Sequence, residues 1–105
     1  MPNKKILDKI IEAILQVVIP DKIILFGSQA RGDEREESDY DILVIKSGII
    51  DEIETSQDIY MKLFDVNELI SVDVIVATPE NVEKYKNTIG CIIKPALKEG
   101  IAIYG

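Results

Sequence analysis

Residues 26–45, FGSQARGDEREESDYDILVI, contain a strand end, a polar turn region and the start of a second strand. A short apolar run over 22–26 stops at a Gly-Ser pair, as a buried strand that enters a turn does. The next ten residues, 29–38, contain a single apolar side chain and predict an exposed helical turn and loop. A second strand is predicted over 39–45, with two aspartates ahead of β-branched residues.

Helices and strands are also predicted on both sides of this stretch. Apolar residues at steps of three and four predict an amphipathic first helix. Thr78, Pro79 and Glu80 form a typical helix start, and Gly100 is suited to end a helix. The remaining pattern predicts helices over 4–18, 50–69 and 79–87, and strands over 71–77 and 101–104. A further helix is predicted within 88–99, provided that Pro95 is accommodated or that the helix starts near it. This order indicates an α/β (α+β) fold with one small sheet.

Length and composition exclude several classes of protein. The chain has 105 residues, which predicts one domain over 1–105. It has no histidine, so catalytic triads and HExxH metal sites are excluded, and Cys91 is its only cysteine. The net charge of −7 argues against direct nucleic-acid binding. Since no apolar run approaches the length of a bilayer span, we expect a soluble cytoplasmic protein without membrane contact.

Three aspartates lie where strands are predicted. Asp39 and Asp41 are two residues apart, so both side chains leave one face of the strand, and Asp73 lies in the next β-branched segment. If the two strands pair, the three carboxylates face one small volume, and an all-oxygen cluster suits magnesium or manganese. The alternative is that residues 33–41 form a solvated acidic loop and that Asp73 points to water from an edge strand.

Gly27 and Ser28 end the first strand and precede a short turn. Such a turn presents backbone N–H groups and a hydroxyl to an anion, as phosphate sites do. Arg31 is placed to add a positive charge there. The alternative is an exposed Arg31, or one paired with Asp33 or Glu34.

In combination, these motifs resemble the minimal nucleotidyltransferases (MNT) of the polymerase-beta nucleotidyltransferase superfamily. The shared core is GS-x10-DxD, and the similarity extends over essentially the whole chain. The resemblance implies a polymerase-beta-like fold, with a small mixed sheet of three to four strands flanked by helices. Gln29 departs from the family, in which a basic residue is common at this place, and this weakens the expected phosphate contacts.

The same resemblance implies roles for individual residues. The family transfers a nucleoside monophosphate from a triphosphate, here ATP, with two magnesium ions. By this resemblance Asp39 and Asp41 bind both ions, and Asp73 binds the one that lowers the pKa of the acceptor hydroxyl. These three are the expected catalytic and metal residues, and Gly27 and Ser28 are expected to hold the triphosphate.

With a single domain expected over 1–105, no further domain is expected to hold an acceptor, and the chain resembles the stand-alone MNT antitoxins of HEPN-domain ribonuclease toxins. That resemblance implies transfer of AMP from ATP to a tyrosine of a HEPN-type toxin. An acidic surface suits such a partner, since an RNA-cleaving toxin is expected to expose a basic groove. Two alternatives stay open: a non-catalytic module that covers the toxin, and a nucleotidyltransferase for small molecules. A homodimer and a hetero-oligomer with the toxin are both compatible with the sequence.

Overall fold

The computed structural model describes residues 4–27, 30, 40–64, 71–88 and 90–105. The elements are α1 (Lys4–Leu15), β1 (Lys22–Phe26), β2 (Tyr40–Ile45), α2 (Glu52–Phe64), β3 (Val72–Ala77), α3 (Pro79–Tyr85), α4 (Ile93–Glu99) and β4 (Ile101–Tyr104). Every helix and strand predicted in these ranges is present. Helices α1 and α3 are shorter than predicted, α4 starts near Pro95, and residues 65–69 of the second predicted helix lie outside the described residues. The α/β (α+β) fold class is confirmed.

The four strands form one mixed sheet in the order β3-β2-β1-β4. Strand β1 runs antiparallel to both β2 and β4, whereas β2 and β3 are parallel. In the parallel pair Asp41 lies opposite Asp73, and in the antiparallel pair Asp41 lies opposite Phe26. The end of β1 and the starts of β2 and β3 therefore share one edge of the sheet.

Helices cover both faces of the sheet, and successive residues of β2 alternate between two apolar cores. The first core, with α1 and α2, is formed by Ile10, Ile14, Ile23, Leu25, Tyr40, Ile42, Val44, Ile59, Val74 and Val76. The second, with α4, is formed by Ile24, Phe26, Leu43, Ile45, Ala77, Ile93 and Ala96, and Cys91 packs against it. Tyr40 is 7% exposed, which confirms that it packs in the core on the face opposite Asp41.

Polar side chains join the elements at the far end of the sheet from the aspartates. Asp51 caps α2 by accepting a hydrogen bond from Glu54 N at 3.0 Å. Glu52 accepts from Thr78 N and from Asn81 Nδ2, each at 2.9 Å, and so ties the start of α2 to the start of α3. Thr78 in turn accepts from Asn81 N at 3.2 Å, as the Thr-Pro-Glu sequence predicted.

Asp21 fastens β1 to the end of β2 at this same far end. Its Oδ2 accepts a hydrogen bond from Ser47 N at 2.8 Å, and the Asp21 N–H donates to the Ile45 carbonyl, also at 2.8 Å. The backbone hydrogen bond from Ser47 lowers the pKa of Asp21 below its ordinary value of 3.8. Its contribution to stability is therefore present above pH 3.8 and is lost as the pH falls through the lowered pKa.

Gly100 ends α4 where the chain passes close to β1. Its φ of −76° is extended, so the left-handed helix end common for glycine is not used here. A Cβ at this position would overlap Ile24 Cγ2 and the Ala96 carbonyl. Gly100 is therefore required for close packing, and β4 can begin directly beside β1.

No helix within the described ranges combines the length and the apolar character needed to span a membrane.

Candidate functional site

Asp41 and Asp73 lie side by side at the starts of the two parallel strands. Their register places them opposite each other, and neighbouring strands are about 4.8 Å apart. Two residues further along their strands, Leu43 and Ile75 lie on the same face, over the second core. The two carboxylates therefore begin the side-chain rows that α3 and α4 cover further along the sheet.

The two aspartates differ in their exposure. Asp41 is half-buried in the row of β2, whereas Asp73 is exposed on β3, which is an edge strand. An exposed edge position agrees with the solvated alternative for Asp73. Against that alternative stands the register, since two like charges directly opposite each other on neighbouring strands are destabilising unless a cation is shared.

Gly27 brings the backbone against the Asp41 carboxylate. Its φ is +75°, in the left-handed region that favours glycine, and a Cβ built on it would overlap Asp41 Oδ2. The Gly27 carbonyl accepts a hydrogen bond from Ala30 N at 3.1 Å, which closes a tight turn directly after β1. Gly27 thus has a structural role that the sequence did not reveal: it leaves room for Asp41.

We expect Gly27→Ala to destabilise the fold more than Gly48→Ala and to displace the Asp41 side chain. Gly48 is a matched control, since its φ is +79° and a Cβ there would meet nothing within 4 Å. Backbone strain alone should cost about 1 kcal/mol at either position. The overlap with Asp41 should add about 1–3 kcal/mol at Gly27 only.

Urea unfolding of both variants measures the difference. Equal losses of unfolding free energy at Gly27 and Gly48 would contradict the crowding of Asp41.

Three of the predicted site residues, Ser28, Arg31 and Asp39, lie outside the described residues, so their placement stays a prediction. Among the residues that are described, no group of three or more Asp, Glu, His or Cys side chains could hold a metal ion. The third carboxylate predicted for such a group is Asp39. The structure therefore brings together Gly27, Asp41 and Asp73 from the predicted set.

Tyr60 is a residue of this region that the sequence did not single out for a contact. Its hydroxyl accepts a hydrogen bond from Val74 N at 2.7 Å, on the strand next to Asp73. The bond satisfies a backbone donor of the edge strand β3 from the side of α2. No local sequence pattern predicts this hydrogen bond, because the two residues are 14 positions apart.

We expect Tyr60→Phe to reduce the unfolding free energy by about 1–2 kcal/mol, because Val74 N loses its partner. Amide hydrogen exchange at Val74 should accelerate more than exchange in the centre of β2. Tyr85→Phe is the control, since Tyr85 is also half-buried but packs on the second core. If hydrogen exchange at Val74 were unchanged, the hydrogen bond from Val74 N to Tyr60 would not stabilise the edge strand β3.

Comparisons with known proteins agree with this fold. The family model for the polymerase beta nucleotidyltransferase domain matches residues 8–105, so the chain belongs to this family. The resemblance to a minimal nucleotidyltransferase is thereby confirmed. No protein among those with curated descriptions matches the chain.

Solved structures share the fold at low sequence identity. A putative nucleotidyltransferase from Sulfolobus solfataricus superposes with a TM-score of 0.65 at 21% identity, over 95% of this chain and 78% of that one. A toxin-antitoxin structure with AMP-PNP has a TM-score of 0.62 at 22% identity, over 93% and 72% of the two chains. A mutant of the toxin-antitoxin MntA-HpeT has a TM-score of 0.60 at 20% identity, over 93% and 71%.

Proposed function

We propose that this protein is a magnesium-dependent nucleotidyltransferase that transfers AMP from ATP to a tyrosine of a HEPN-type ribonuclease toxin, and that it thereby acts as the antitoxin. In the reaction the tyrosine oxygen forms a bond to the α-phosphorus of ATP. The bond from that phosphorus to the bridging oxygen breaks, pyrophosphate leaves, and the hydroxyl proton passes to solvent. Membership of the polymerase beta family supports nucleotidyl transfer as the reaction class.

The observation that carries the proposal is the pair of aspartates in register beside Gly27. Their oxygens are the ligand type that magnesium prefers, and the chain contains no histidine that would favour zinc. Asp41 and Asp73, with Asp39, are proposed to hold the metal ions. Bound magnesium would supply charge neutralisation for the triphosphate and a lowered pKa for the acceptor hydroxyl.

The triphosphate is proposed to lie against the turn after β1. Because Gly27 has no Cβ to crowd the Asp41 carboxylate, phosphate oxygens are proposed to approach its backbone beside Asp41. Ser28 and Arg31 are proposed to add a hydroxyl and a positive charge. A metal held at Asp41 and phosphates held at Gly27 would then be neighbours, as phosphoryl transfer requires.

A protein acceptor is supported by the similar structures and by charge. Two of the similar folds are described as toxin-antitoxin structures, one of them with AMP-PNP, an ATP analogue. The net charge of −7 favours a basic partner over RNA or DNA.

Magnesium-dependent ATP binding is the first test of the site. We expect calorimetry to show binding only with magnesium, and Asp41→Asn to weaken it at least tenfold, about 1.4 kcal/mol. Asp8→Asn is the control, since Asp8 is an exposed aspartate on α1. If wild type fails to bind ATP both alone and in complex with the toxin, the proposed site is wrong.

Transfer itself is tested with the protein encoded by the neighbouring gene as the candidate toxin. With ATP and magnesium, intact-mass spectrometry should show addition of AMP, and peptide mapping should place it on a tyrosine. Asp73→Asn should abolish transfer while reducing ATP binding less than Asp41→Asn does, because Asp73 is proposed to act on the acceptor side.

Neutralisation of the toxin without any added nucleotide would contradict catalysis and favour the covering module. Asp39→Asn/Asp41→Asn separates the two functions, since a covering module should neutralise the toxin despite the double change.

A further inference from the structure

The outer face of α2 carries an apolar stripe that the fold itself leaves uncovered. Ile53, Met61 and Phe64 are 71%, 67% and 86% exposed, although the opposite side of the helix buries Ile59 completely. At 100° per residue these three side chains fall within about 80° of the helix circumference. Ile50, just before the helix, is fully exposed as well. Together these four residues are called the α2 stripe.

Ile53, Met61 and Phe64 share one face of the helix, and the polar Gln57 lies between the first of them and the other two. Single exposed apolar residues are normal, whereas grouped ones usually mark a contact surface. The outer side of α2 accommodates polar residues, since Gln57 is exposed between Ile53 and Met61. Burial in the protein's own core therefore does not account for the apolar side chains around Gln57.

Acidic residues border the α2 stripe. Glu54 and Asp58 follow it on one side of the helix, both exposed, and Asp51 precedes the helix. Lys62 is the one basic residue within Glu52–Phe64. Two copies of this chain that met through the stripe would bring these carboxylates together, because a twofold contact pairs a surface with itself. The charge therefore favours a different partner, with basic side chains around an apolar face.

The C-terminal end of the α2 stripe lies near the start of the edge strand β3, where Asp73 is placed. Tyr60 contacts β3 at Val74, next to Asp73, and Phe64 lies one helical turn beyond Tyr60. Since β3 is an edge strand, a protein that covers the outer face of α2 at Phe64 lies beside the start of β3. The Asp73 carboxylate lies on the face of the sheet opposite α2, so an acceptor group on that protein would approach Asp73 around the edge of β3.

We propose that the α2 stripe is the docking surface for the protein that accepts the nucleotide, and that this partner presents apolar side chains bordered by lysine or arginine. The inference rests on the proposed function and adds to it where the acceptor binds. The apolar centre would supply affinity, while Glu54 and Asp58 would accelerate association with a basic partner.

The test compares binding of the purified neighbouring-gene protein to three variants by surface plasmon resonance. Met61→Gln/Phe64→Gln should weaken binding at least tenfold. Leu15→Gln/Ile19→Gln is the matched control, with two exposed apolar residues outside the stripe, and should bind as wild type does. Glu54→Gln/Asp58→Asn should slow association several-fold at low salt, and the difference should shrink at high salt.

Magnesium-dependent ATP binding separates failure of this proposal from failure of the proposed function. Met61→Gln/Phe64→Gln should bind ATP as wild type does, because neither residue belongs to the candidate site. If that variant binds the partner with unchanged affinity, the docking surface is elsewhere and the proposed function stands. If the isolated wild-type chain forms dimers that this variant loses, a second copy occupies the stripe and the proposal is overturned. If wild type does not bind the neighbouring-gene protein at all, the antitoxin function fails and the docking proposal fails with it.

Discussion

Burial of β2 on both of its faces is the constraint on which the site depends. Ile42 and Leu43 are adjacent and both have no exposed surface, because one packs in the first core and the other in the second. A slip of β2 by one residue would exchange these two sets of side chains. It would also turn the Asp41 carboxylate into the first core, where nothing apolar could compensate its charge. The cores that stabilise the protein therefore also fix Asp41 on the face that meets Gly27 and Asp73.

The sequence predicted the elements because each carries a local signal. Alternation along β2 was enough to place Tyr40 and Asp41 on opposite faces, and apolar steps of three and four were enough to find α1. The order β3-β2-β1-β4 is known from the structure, because one sequence does not say which strands pair. The opposition of Asp41 and Asp73 depends on that pairing, so the local pattern could only suggest it.

Contacts between distant side chains lay beyond what the sequence could predict. Glu52 reaches Thr78 across 26 positions and Tyr60 reaches Val74 across 14, and neither pair has a spacing that marks it. Gly27 is similar, since the Gly-Ser pair predicted a turn but not that a Cβ would overlap Asp41. These contacts arise only when the sheet and helices have packed. Residues that the sequence pattern assigns to a helix surface or a turn can therefore determine the geometry of the site.

Helix α2 connects the stability of the fold to its proposed use. Ile59 packs in the first core, Tyr60 is hydrogen-bonded to β3, and at the first turn Glu52 is tied to α3. A helix fixed at both places cannot shift much relative to the sheet, and its 13 residues extend over about 20 Å. A partner bound to the outer face of such a helix would have a defined position relative to Asp73. Because nucleotidyl transfer depends mainly on positioning, a rigid docking helix next to an edge strand would define where the acceptor is held.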